Sequence, residues 1–200
     1  MMHTADMLKA IAPYREDAIV VPGRGGRYWI DLTTRPNLDA PVGDPAMGGH
    51  AGFALGLALA RPDKKVILFD SEGDILMSLG MLVTIAEQQP ANFYHFLIDN
   101  GCYATTGGQP VPNADRVAYD VIARGAGYPL AFAFSELAEF SASLPDILNK
   151  PGPVFVAAKV VPEIENAPIG QRRRWQTRSR DQVINDLRNE LSINSWFRGD

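Results

Sequence analysis

Residues 65–100 read KVILFDSEGDILMSLGMLVTIAEQQPANFYHFLIDN, and this stretch decides the fold. Lys65 to Phe69 is apolar and β-branched after its first residue, the composition of a strand covered on both faces. Ile75 to Gln88 then sets Leu76, Leu79, Met81, Leu82, Val83 and Ile85 around a mostly apolar helix, which Pro90 closes. Phe93 to Ile98 (FYHFLI) is a second strand. Strand, helix and strand in this order form a parallel βαβ unit.

The alternation continues in both directions. Upstream, Ala18 to Val21 (AIVV) is a short strand stopped by a Pro-Gly turn, and Met47 to Ala60 is a buried helix ending before Arg61-Pro62. Downstream, Asp99 to Pro112 is a loop rich in Gly, Thr and Asn, and Val117 to Gly125 is a short helix. Leu130 to Phe134 is a strand. Ser135 to Leu148 is a helix with Ser135 as N-cap and Leu137, Phe140, Leu144 and Leu148 inward, and Val154 to Val161 is a last strand. The fold class is therefore α/β, a three-layer α/β/α arrangement around a parallel sheet, spanning residues 1–162. Residues 163–200 differ in character. Residues 171–180 (QRRRWQTRSR) hold five arginines in ten, and Asp181 to Leu191 forms an amphipathic helix with Val183, Ile184, Leu187 and Leu191 on one face. Three readings of this tail stand open: a solvated basic surface followed by a helix docking Val183, Leu187 and Leu191 on the domain, an interface element with Trp175 and Trp196 as anchors, and a source of positive charge at the site mouth. The interface reading has the tail leave the sheet domain, and it is the favoured one.

Composition excludes several classes. Of 200 residues, 46% are hydrophobic and 21% charged, which suits a folded globular chain. The single cysteine, Cys102, excludes an internal disulfide framework and fits a reducing, cytoplasmic setting. A net charge of -4 gives no nucleic-acid signature. No apolar run suggests a transmembrane helix, and the first residues, MMHTADMLKAIAPYRED, lack the apolar core of a signal peptide.

In parallel sheets ligands bind at the carboxyl ends of the strands. Two loops lie there: Asp70 to Asp74, and Asp99 to Gln109. A hard cation wants oxygen ligands, and an acid beside glycine after a strand lets both metal and phosphate approach the backbone. Glu72, Asn100 and the Cys102 carbonyl form such a set for Mg²⁺. On spacing alone, the same residues also suit a surface acid and an Asn-Gly turn.

The stretch LFDSEGDILMSLGMLVTIAEQQPANFYHFLIDNGCYATTGGQP resembles the thiamine-diphosphate signature of Gly-Asp-Gly, roughly 25–30 residues and then Asn. It is similar in particular to the cofactor-diphosphate-binding half of sulfopyruvate and phosphonopyruvate decarboxylases, as is AMGGHAGFALGLALARPDKKV upstream. The likeness covers roughly Ala18 to Val161. It implies thiamine diphosphate and Mg²⁺ as cofactors, with Glu72, Asn100 and the Cys102 carbonyl on the metal. It implies Gly73 and its neighbours, with Gly25 and Gly26, near the diphosphate, and Asp74 and Thr105 also among the cofactor-facing positions. Met47 falls where the family places an apolar wedge under the bent cofactor, and the Pro45 carbonyl would receive the aminopyrimidine. Thr105, Thr106, Gly107, Gly108 and Gln109 would border the substrate.

Four positions depart from the family pattern, the first being Ser71, which stands for the first glycine of Gly-Asp-Gly. Glu72 stands for the usual aspartate, Asp74 stands where a small residue is expected, and His50 does likewise in the first turn of the Met47 helix. Asp74 is thus a rival metal ligand, and His50 is either a proton donor or a helix-start histidine. His95 lies mid-strand and is expected to be packed. The glutamate that activates the cofactor belongs, in this family, to a second pyrimidine-binding domain, for which the roughly 45 residues before the Met47 helix leave little room. The resemblance therefore implies one subunit of a heteromer, α2β2 or larger, decarboxylating an anionic 2-oxo acid to an aldehyde and CO2. The alternatives are a carboligase of acetolactate-synthase type and a non-catalytic regulatory subunit of the same fold.

Overall fold

The computed structural model describes residues 2–41, 47–172 and 174–192. Five parallel strands form one sheet in the order β1-β2-β3-β7-β6. They are β1 (Ile19–Pro22), β2 (Val66–Ser71), β3 (Phe93–Asp99), β6 (Leu130–Phe134) and β7 (Val154–Lys159). All seven residues of β3 are buried, as a central strand with both faces covered requires. One apolar layer, under α2 (His50–Ala60), α4 (Met81–Gln88) and α5 (Tyr119–Ala126), contains Leu68, Leu97 and Phe155. The opposite layer, under α1 (Thr4–Ile11) and α6 (Leu137–Asn149), contains Phe69, Phe96 and Val156. This is the α/β/α architecture read from the alternating pattern.

Several boundaries differ from the sequence reading. The single helix expected over 75–88 is two, α3 (Glu72–Met77) and α4. Ser71 caps α3 by accepting the Asp74 N–H at 3.3 Å, and Ser78 leaves helical geometry at φ -137°, ψ 40°, just before Gly80. The helix expected from Met47 begins at His50, because Gly48 takes φ +83°. Ser135 is not a cap: Glu136 occupies that position in extended conformation with no side-chain cap bond. The loop after β3 contains a small antiparallel pair, β4 (Cys102–Tyr103) with β5 (Gln109–Pro110). Helix α1 was not anticipated, although Thr4, Met7, Leu8 and Ile11 carry the i, i+3, i+4, i+7 spacing and are buried.

Through Ser192 the basic tail packs on its own domain rather than leaving it. Ser179 and Gln182 form a capping box at the start of α7 (Arg180–Glu190). Val183, Leu187 and Leu191 enter the apolar layer of α2, while Ile184 is half-buried. Arg178 donates to the Pro36 carbonyl at 2.7 Å, the Asp39 carbonyl at 3.1 Å and the Asp186 carboxylate at 2.8 Å. Trp196 and Phe197 lie outside the described residues.

The segment carrying Gly25 is held by a buried ion pair. Arg15, 3% exposed, places Nη2 at 3.1 Å from Asp39 Oδ1 and also donates to the Ala18 and Arg35 carbonyls. Trp29 Nε1 donates to the same Asp39 oxygen at 3.1 Å. Removing one partner of a buried pair strands the other charge. Asp39→Ala is expected to cost about 3–5 kcal/mol in urea denaturation. A cost below about 1 kcal/mol, the range of exposed pairs, would show that the pair does not organise this region.

Candidate functional site

Strands β2 and β3 run side by side in register, with Ser71 opposite Ile98. The chain therefore leaves both strands at one edge of the sheet, with Glu72 opening α3 and Asn100 following β3. Glu72 is 1% exposed. Its Oε1 accepts the Cys102 N–H at 3.1 Å, and Asn100 Oδ1 accepts the same N–H at 2.9 Å. One backbone amide thus gathers two side-chain oxygens from neighbouring strand ends. Glu72 Oε2 is buried with no hydrogen-bond partner. Burial, reinforced by the Asp99 charge, pushes the Glu72 carboxyl from its ordinary 4.5 up to about 7. An orphaned carboxylate oxygen beside an amide oxygen suits a hard cation, whose charge would offset the cost of burying the acid.

Above this pair opens a cavity of about 320 Å³. Gly25, Met47, Gly73, Asp74, Asn100 and Thr105 line it, as do Cys102 and Thr106. A Cβ on Gly25 would stand 2.8 Å from both the Asp70 carbonyl oxygen and Ile98 Cδ1, so only glycine lets the backbone lie against the strand ends. Met47 is 58% exposed at the cavity wall. Gly26 lies away from the cavity lining, tight against Pro22 and Phe69. Gly107 (φ +112°) and Gly108 (φ +81°) shape the turn between β4 and β5, where Thr106 and Gln109 are exposed and Thr106 Oγ1 donates to the Tyr103 carbonyl at 3.3 Å. Pro45 lies outside the described residues.

Asp74 turns from the Glu72–Asn100 pair. Its Oδ2 is 3.2 Å from His50 Nδ1, and both side chains are buried. His50 sits at the base of α2 and does not line the cavity. His95 is fully buried, with Nε2 at 3.2 Å from Asp70 Oδ2 and Nδ1 at 3.4 Å from the Tyr128 hydroxyl. Sequence reasoning did not single out Arg24 or Tyr103, which also line the cavity. Arg24 Nη1 donates to Thr105 Oγ1 at 3.4 Å, and Arg172, from the basic run, donates to the Thr105 carbonyl at 2.8 Å. The signal for Arg24 was its place inside the Gly23–Gly26 turn; the link from Arg172 to Thr105 spans 67 positions and has no local signature.

Comparison with known proteins places the chain in a family. The family model for the thiamine pyrophosphate enzyme C-terminal TPP-binding domain matches residues 27–158. The chain is 32% identical over 171 residues to the sulfopyruvate decarboxylase subunit beta of Methanothermobacter thermautotrophicus, covering 84% of this chain and 88% of that one. It is 33% identical over 160 residues to the phosphonopyruvate decarboxylase of Streptomyces viridochromogenes, covering 79% of this chain but only 39% of that longer protein. A solved chain from Mycobacterium smegmatis, described as a thiamin diphosphate-dependent enzyme, superposes with a TM-score of 0.68 at 22% identity, covering 81% of this chain and 32% of that one, a likeness of fold.

The raised Glu72 pKa has a consequence for stability. Between pH 4.5 and 7 the folded chain keeps a proton that the unfolded chain has released, so stability falls as pH rises through this window and levels off above it. In EDTA, urea denaturation is expected to follow that slope, with a total change of a few kcal/mol at most. Glu72→Gln is expected to remove it. A slope unchanged in Glu72→Gln would assign the titration to another group.

Proposed function

The chain belongs to the thiamine pyrophosphate enzymes, and on that premise we propose that it is one subunit of a heteromeric decarboxylase dependent on thiamine diphosphate and Mg²⁺. Its substrate is an anionic 2-oxo acid of the 3-sulfopyruvate or 3-phosphonopyruvate kind, and its products are an aldehyde and CO2. The convergence of Glu72 and Asn100 on the Cys102 amide, beneath an open cavity, carries this reading. It is supported by similarity to a methanogen chain named as a beta subunit over 88% of that chain's length.

Glu72, Asn100 and the Cys102 carbonyl would hold Mg²⁺, with Glu72 favoured over Asp74 because Asp74 is engaged by His50. The backbone at Gly25 and Gly73 leaves room for diphosphate oxygens. Met47 would support the cofactor from the cavity wall. When bound, the cofactor would supply the electron sink for the pair released as CO2 leaves. Thr105 and Thr106 would border the substrate, and the positive charges of Arg24 and Arg172 about Thr105 would favour an anionic acid there. His50, buried against Asp74, is set back from the lining of the cavity, which argues against a role as proton donor. The cavity mouth also exposes apolar surface at Met47 and Met77, which fits closure by a partner chain. Among the described residues no helix is long and apolar enough to cross a membrane.

Calorimetry and turnover on the reconstituted heteromer test the proposal. Thiamine diphosphate is expected to bind with Mg²⁺ and not in EDTA, and 3-sulfopyruvate or 3-phosphonopyruvate to release CO2. Glu72→Ala is expected to weaken cofactor binding by about 100-fold or more, the equivalent of roughly 3 kcal/mol at a desolvated site. Equal affinity in EDTA, or a larger loss in Asp74→Ala than in Glu72→Ala, would contradict the assignment of the metal to Glu72.

A further inference from the structure

Asp74 and His50 both replace side chains expected to be small, and the structure makes them partners. Asp74 Oδ2 lies 3.2 Å from His50 Nδ1 across 24 positions of sequence, with side chains 4% and 5% exposed. Asp74 Oδ1 accepts the Gly48 N–H at 3.4 Å, and Ser78 Oγ donates to the Gly48 carbonyl at 2.7 Å. Both backbone polar groups of Gly48 are therefore held from α3 and the residue that ends it. The turn admits no side chain: Gly48 has φ +83°, and a Cβ there would stand 3.0 Å from the Asp74 carbonyl oxygen and 3.1 Å from Ser78 Oγ. Met47, the neighbour of this pinned glycine, is exposed at the cavity wall.

We propose that Asp74, His50 and Ser78 form a clamp that fixes the Met47–Gly48 turn to α3, so that Asp74 is a positioning residue for Met47. The functional half of this inference rests on the proposed role of Met47 beneath the cofactor. The clamp ties two parts of the site together, because the helix that holds the turn is the one that begins with Glu72. His50, Asp70 and Asp74 offer ligand atoms within 4.8 Å of one another. A bound transition metal is the rival account of that cluster, but Asp70 is already engaged by His95 at 3.2 Å and Asp74 by His50.

Hydrogen exchange of the full chain, in EDTA and again with added Zn²⁺, reads the clamp without cofactor or substrate. Asp74→Ala is expected to speed exchange at the Gly48 amide about tenfold, the effect of losing one hydrogen bond. Asp74→Asn keeps an acceptor and is expected to stay near wild type. Should Asp74→Ala fail to fold, Ser78→Ala removes only the bond to the Gly48 carbonyl and is expected to loosen the same turn. In the reconstituted heteromer, Asp74→Ala is expected to lower kcat about tenfold with KM for the 2-oxo acid little changed, and Asp74→Asn to rescue it. Unchanged exchange at Gly48 in both Asp74→Ala and Ser78→Ala would overturn the clamp, and Zn²⁺-dependent protection of the turn would replace it with a metal site. Faster exchange with intact kcat would overturn the positioning of Met47. A wild-type heteromer without decarboxylase activity would instead defeat the proposed function, with the exchange result still deciding the clamp.

Discussion

The hydrogen-bonded pairing of β2 with β3 is the constraint from which the site follows. Parallel register brings Ser71 opposite Ile98, and the next turns of chain emerge together at one sheet edge. Two residues separated by 28 positions, Glu72 and Asn100, then meet at the Cys102 amide. A slip of one residue would send the side chains of a strand to opposite faces and bury Asp70 and His95 in the wrong layer. Because both faces of these strands are buried and largely apolar, the slip is opposed by side-chain packing and by the buried polar pairing rather than by hydrophobic alternation. The polar pair Asp70–His95 records the same register within the layer beneath α2.

Much of this was legible in the sequence because it depends on local pattern. Apolar β-branched runs marked the strands, and Leu130–Phe134 begins and ends where the run does. The position of the acid and the asparagine after successive strands made Glu72 and Asn100 candidates, and the family resemblance, not the spacing, set them above an ordinary surface acid and an Asn-Gly turn. What was missed depends on one residue's geometry or on contacts across space. The break between α3 and α4 turns on Ser78 leaving helical geometry, beside Gly80, within a run that is otherwise apolar. Asp74 and His50 were each read alone, as a rival ligand and a candidate proton donor, because no periodicity links positions 24 apart. For the tail, the favoured reading, in which it leaves the domain, fails for a similar reason, and the docked-helix reading holds. Its charge is conspicuous, but Val183, Leu187 and Leu191 decide where it goes, and the pocket that receives them is built from distant segments.

Arg15 and Asp39 connect these parts. The Asp39 carboxylate serves Arg15 and Trp29, and its carbonyl receives Arg178 from the tail. The segment bearing Gly25 and the tail bearing Arg172 are thereby fastened to one residue near the sheet edge. Charged groups that would be unremarkable on the surface become determinants of cavity shape when buried together in this way.

The strand order has a consequence for biosynthesis. β7 lies between β3 and β6, yet among the described residues it is the last of the sheet's strands to be translated. While the ribosome is still making the segment before Val154, β3 has one open edge and β6 has no neighbour in the sheet. From residue 134 until β7 is made at residues 154–159, the nascent chain carries β6 as an unpaired, wholly apolar strand, a condition that favours aggregation and chaperone capture. Arrival of β7 closes both gaps at once, so a stall or truncation before residue 154 would leave a fragment lacking the strand that joins β6 to β3 rather than a shortened but soluble domain.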